Sequence, residues 1–268
     1  MTIWIAATIA GGVILTILQA LTGLVLGPLD LEMPPGMLPW VLVSNVLHAG
    51  VLAWFARKSV RSGWRLAAAL FAISYGTGHA SSLIEAYVFD IFGRPGLLQG
   101  IFLHTLLPAL LFPPVVVLLT GRWSRAAAAP APVPARSATG WLWRFAVCSV
   151  AYVLLYFAAG TIVFPFVQDF YAQLRLPSTI TVILLQLFVR GPLFTAVGLL
   201  IVRMIPGTRV QHALMVGMAM SVLGGVVPLL VPNPLLPDHI RWAHLAEVVP
   251  SNLVFGCVVG WLFSDADD

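Results

Sequence analysis

Apolar residues fill this chain in long blocks, and polar residues gather in the short stretches between them. A membrane core takes about 20 apolar residues per helix. Eight blocks meet that length, at roughly 3–26, 38–56, 65–89, 97–120, 141–164, 177–204, 209–231 and 240–263. None alternates apolar and polar with a period of two, so the blocks read as helices rather than barrel strands. The expected fold class is all-α: a polytopic membrane protein with eight transmembrane helices. The first block lacks a basic flank and a small-residue cleavage site and is longer than a signal-peptide core, so it reads as a retained span.

Composition sharpens this reading. The chain is 60% hydrophobic and 9% charged, against about 25% charged in soluble domains. So little charge cannot cover so much apolar surface in water, and the partner of the surface is the lipid bilayer. The net charge of +4 does not point to nucleic acid, because the basic residues flank the spans. With the N-terminus inside, one side holds Arg57, Lys58, Arg61, Arg65, Arg122, Arg125, Arg136, Arg144, Arg203 and Arg209. The other side holds Arg94, Arg175 and Arg241, and Arg190 lies within a span. By the positive-inside rule both termini are expected to be cytoplasmic. The stretch GGVVPLLVPNPLLPDHIRWAHLAEVVPSN resembles those of bacterial inner-membrane proteins, and that membrane is the expected location.

The Ala/Pro-rich segment 122–140 cannot build a core and reads as a cytoplasmic linker. It separates a first four-helix half, 1–121, from a second, 141–268. Four spans is an even number, so the halves would insert in parallel. Ser74 and Gly78 are spaced like Ser221 and Gly225, and Pro108 answers Pro250, which makes two parallel repeats an expectation. The pairs Gly23/Gly27 and Gly256/Gly260 have the spacing of close helix packing.

Ionisable groups inside spans carry the candidate chemistry, since each needs a partner in hydrocarbon. At about 1.5 Å per residue, His48 and His79 lie roughly 15 Å below the outer face, His104 roughly 10 Å and Glu85 roughly 6 Å. Three imidazoles at similar depth, His48, His79 and His104, could hold a transition metal, or two of them a haem; they could equally bond neighbouring carbonyls and hydroxyls. Ser81 and Ser82 beside His79 do not make a hydrolase, because no nucleophile elbow is present. In the second half Gln186 lies roughly 14 Å from the outer face and Arg190 about one turn deeper, while His244 and Glu247 share one face of the last span. Glu247 is the expected partner of Arg190. Prolines 192, 250, 108, 113 and 114 beside these groups point to discontinuous helices. His212 and His239 read as solvated.

Three functions fit. The first is a small transporter or permeation protein for a small molecule or ion, with substrate or protons handled by His48, His79, Glu85, His104, Gln186, Arg190, His244 and Glu247. The second is a membrane-embedded metal- or haem-binding protein or enzyme using His48, His79 and His104. The third is a non-catalytic subunit or scaffold of a membrane complex. No phosphate-binding loop is present, which argues against ATP-driven chemistry in this chain.

Overall fold

A computed structural model describes residues 2–29, 31–32, 34–91, 96–124, 136–174 and 176–264. Among them there is no strand, only helices joined by short turns. Seven helices are long and apolar enough to cross a membrane: α1 (Thr2–Leu26), α2 (Met37–Lys58), α4 (Leu97–Leu119), α5 (Ala138–Tyr171), α6 (Thr179–Met204), α7 (Arg209–Leu230) and α8 (Asp238–Phe263). Between α2 and α4 runs a further continuous rod, α3, made of Gly63–Tyr75, a π-turn Gly76–Ala80 and Ser81–Val88. Its Ser74, Thr77, His79, Ser81, Ser82 and Glu85 make it the most polar of the set.

Observed ends fall within two or three residues of the expected ones, except at α5. That helix runs for 34 residues, about 50 Å at 1.5 Å per residue, well beyond a hydrocarbon core of about 30 Å. Gln168 and Asp169 signal the end of the apolar block, but a helix closes its own backbone bonds and continues past them. Most of the 122–140 linker lies outside the described residues.

The expected discontinuous helices are not found. α4 runs unbroken through Pro108, Pro113 and Pro114, and α8 through Pro250. The irregularities are instead three π-turns: Gly76–Ala80 in α3, Gln186–Arg190 in α6 and Val222–Val226 in α7. Pro192 follows the second and Pro228 the third. A proline ring crowds the carbonyl four residues back and offers no N–H. A wider turn before it relieves that crowding, and the N–H groups just before the prolines, those of Gly191 and Val227, reach back five residues to Gln186 and Val222.

Packing within 1–121 joins α1 to α2 and α4, α2 to α3 and α4, and α3 to α4. Packing in the second half joins α5 to α6 and α8, α6 to α7 and α8, and α7 to α8. Between the halves α3 packs on α6, α2 on α7, and α3 on α7. Where the α3 and α7 π-turns meet, a Cβ added at Gly78 would lie 3.3 Å from the Leu223 carbonyl oxygen, and one at Gly224 would lie 3.1 Å from that of Thr77. A side chain at either position would crowd the facing backbone, so glycine suits this close approach. The Gly256/Gly260 pair packs α8 on α7, with a Cβ at Gly256 only 2.6 Å from Gly217 Cα. The Gly23/Gly27 pair has no such role: a Cβ added at either would meet nothing within 4 Å.

One apolar core runs from Phe55, Leu66, Met204 and Phe263 near the end that carries the termini to Tyr152, Phe194 and Phe255 in the middle of the bundle. At the terminal end the turns are tied together: Val60 N–H donates to Met204 O at 2.9 Å, Gly63 N–H to Arg122 O at 3.1 Å, and Arg144 Nε to Leu262 O at 3.0 Å. His212 belongs to this end and is buried, not solvated. Its ring nitrogens lie 2.8 Å from Ser264 Oγ and 2.9 Å from Ile205 O. A capping box formed by Thr208 and Gln211 opens α7 just before this residue.

Candidate functional site

Above the core, toward the end opposite the termini, the helices part around a cavity of about 370 Å³, within the range of small-molecule sites. Its walls come from α3, α5, α6, α7 and α8, and the turns carrying Phe89, Leu174, Asn233, Leu235 and Leu236 surround its mouth. All three π-turn helices contribute, through Thr77, Arg190 and Gly224. A π-turn adds one residue to the turn and swings the side chains beyond it relative to those before it, which is why such turns recur at functional sites.

The central group is Arg190, at the end of its π-turn. Its Nη1 donates to Glu85 Oε1 at 2.8 Å and to Gln186 Oε1 at 3.2 Å, and its Nε donates to Ser81 Oγ at 2.8 Å. The guanidinium lies over Tyr152 and Tyr156, 5.7 and 5.9 Å from the ring centroids. The Tyr156 hydroxyl donates to the same Glu85 oxygen at 3.3 Å. The partner of Arg190 is therefore Glu85, from the first half, and not Glu247. The reason is geometric: α3 packs on α6, and a long arginine side chain spans the depth difference that separates the two residues along their helices.

Glu247 has a different partner. His244 Nδ1 lies 3.0 Å from Glu247 Oε2, and Tyr171 Oη lies 3.0 Å from His244 Nε2. One tautomer satisfies both contacts: Nδ1–H donates to the carboxylate, and the Tyr171 hydroxyl donates to Nε2. The result is a Tyr–His–Glu chain from the overhanging end of α5 to α8.

The histidines of the first half are placed elsewhere. His48 is buried, with Nε2 2.7 Å from Ser74 Oγ and its ring edge-on to Phe112. His79 lies against the Tyr75 ring one turn back, with centroids 5.7 Å apart. His104 lies between backbone carbonyls, with Nδ1 2.8 Å from Gly100 O and Nε2 2.9 Å from Gly27 O. None of the three lines the cavity. Among the described residues no three His, Cys, Asp or Glu side chains come together in a way that could hold a metal ion. The expected metal-holding grouping of His48, His79 and His104 is thus not found: His48 and His104 each bond a neighbour of their own, and His79 packs on the Tyr75 ring. Gln186 is fully buried behind Arg190, its Nε2 without a partner.

Sequence reasoning passed over Tyr152, Tyr156 and Tyr171. The signal was available: Tyr152 and Tyr156 are four apart and Tyr171 is about four turns further on, so all lie along one stripe of α5. A tyrosine hydroxyl in an apolar span needs a partner much as a charge does. Compared with known family models, with curated proteins and with solved structures, the chain gives no match.

Proposed function

We propose that this integral membrane protein takes a small molecule from the side opposite its termini into the cavity between its halves, and moves it across the membrane. The observation that carries this reading is the cavity itself, walled by both halves and crossed by the Arg190–Glu85 bridge that joins them. Structural ion pairs are common in bundles; one that faces an open, ligand-sized space is better placed to serve a ligand. In this reading α3 crosses the bilayer as an eighth span, the termini lie in the cytoplasm, and the membrane is a bacterial inner membrane. The gathering of Arg57, Lys58, Arg61, Arg65, Arg122, Arg144, Arg203 and Arg209 near the terminal ends of the helices supports that orientation.

The halves are parallel repeats in this reading. Exchanging α1 with α5, α2 with α6, α3 with α7 and α4 with α8 leaves the packing scheme unchanged, both within and between halves. The reciprocal approach of Gly78 to Leu223 and Gly224 to Thr77 is the pattern a two-fold axis imposes.

The test is a cysteine placed at Ser251 of the cavity wall in a chain lacking Cys148 and Cys257. In sealed vesicles a membrane-impermeant maleimide is expected to reach it from either face. Reaction from one face alone refutes transport.

A further inference from the structure

We infer that the cavity is built for an amphipathic organic cation, a protonated amine or quaternary ammonium, with Glu247 as its counter-ion; this rests on the small-molecule reading above. The argument starts from charge. Besides His244, which is bonded to Tyr171 and Glu247, the charged groups lining the cavity are Glu85, Glu247 and Arg190. Arg190 is committed to Glu85 at 2.8 Å, and no Lys or Arg among the described residues is paired with Glu247, whose basic neighbour is the His244 imidazole at 3.0 Å. The cavity thus carries one carboxylate more than it has guanidinium to balance.

An uncompensated carboxylate away from water is unfavourable and calls for a positive charge. Glu247 is kept ready for one. Its Oε2 accepts from His244, and no donor is paired with its Oε1 among the described residues. Gly160 of α5 faces Oε1, and a Cβ there would lie 3.6 Å from it, an ordinary contact distance.

The rest of the wall suits the non-polar part of such a ligand. Phe89, Phe170, Phe194 and Phe255 line the cavity, and aromatic faces attract organic ammonium groups through the ring quadrupole. Arg190 already sits over Tyr152 and Tyr156 within the same wall. An inorganic cation would need a converging shell of ligands, and among the described residues no three His, Cys, Asp or Glu side chains gather to hold a metal ion.

The experiment uses three probes of one shape and different charge: benzyltrimethylammonium, neutral neopentylbenzene and anionic benzylsulfonate. Binding to the full chain in lipid nanodiscs is measured by equilibrium dialysis, with protein-free nanodiscs subtracted. The cation is expected to bind at least tenfold more tightly than the neutral probe, and the anion most weakly. E247Q should lower cation affinity at least tenfold and remove the preference for cation over neutral probe, and L235W at the mouth should abolish binding. Equal binding of cation and neutral probe overturns the inference, because Glu247 is then already neutralised, by a proton or by His244, and the cavity selects only for apolarity. Preference for the anion overturns it in favour of Arg190. In either case the small-molecule reading stands, whereas no binding of any probe removes both. If E247Q fails to fold, the ranking of the three probes by the unaltered chain still decides.

Discussion

Replacing Glu85 with Gln leaves the Arg190 guanidinium without its carboxylate. Removing one partner of a fully buried pair costs about 3–5 kcal/mol, while exposed pairs contribute about 0–1 kcal/mol. The side chains here are 11% exposed for Arg190 and 26% for Glu85, and Arg190 keeps Ser81, Gln186 and two tyrosine rings. The expected loss is therefore intermediate, about 2 kcal/mol. R190M should cost less, about 1 kcal/mol, because an isolated carboxylate can take up a proton and a guanidinium cannot lose one. On the R190M background E85Q should add almost nothing, so the two changes couple by well over 1 kcal/mol. The assay is SDS-driven unfolding in mixed micelles followed by circular dichroism. Additive effects of E85Q and R190M, or coupling of R190M to E247Q in place of E85Q, would refute the assignment of the pair.

Three further outcomes are expected. Gly256→Ala should destabilise the bundle in the same assay by about 1–3 kcal/mol through overpacking against α7, whereas Gly23→Ala, with open space around it, should be neutral or stabilising by up to about 1 kcal/mol. Asn233→Ala removes an oxygen that accepts from the Leu235 and Leu236 N–H groups at 3.0 Å each; it should cost about 1 kcal/mol and make the turn before α8 more sensitive to protease. Cys148, fully buried, should stay unmodified by N-ethylmaleimide in the folded chain and react on unfolding, as mass spectrometry would read.

The rods were legible in the sequence because lipid sets their length through desolvation, a property of each block on its own. α5 was misjudged where Gln168 and Asp169 carry the helix on past the apolar block. Which faces meet is not a property of one block. The depth estimate put Arg190 within reach of Glu247 but could not show that α6 turns this residue toward α3. The same gap hid His48 on Ser74 and His104 on Gly27, where a lone histidine is satisfied locally and gives no sign of it in its neighbours. The π-turns were half visible: Pro192 beside Arg190 pointed to an irregular place in α6, but only packing shows that it and the glycine-rich turn of α3 border the same space.

The cavity ends on Tyr152, Phe194 and Phe255, and these belong to the same core that continues to Phe55, Met204 and Phe263. A molecule entering from the open mouth therefore reaches a dead end, with close-packed aliphatic and aromatic side chains filling the remaining distance to the far surface. Docking leaves that plug intact. Crossing requires it to split, and the lines along which it could do so are the α2–α7 and α3–α6 seams, so a crosslink stitched over either one would halt passage while leaving the pit able to fill.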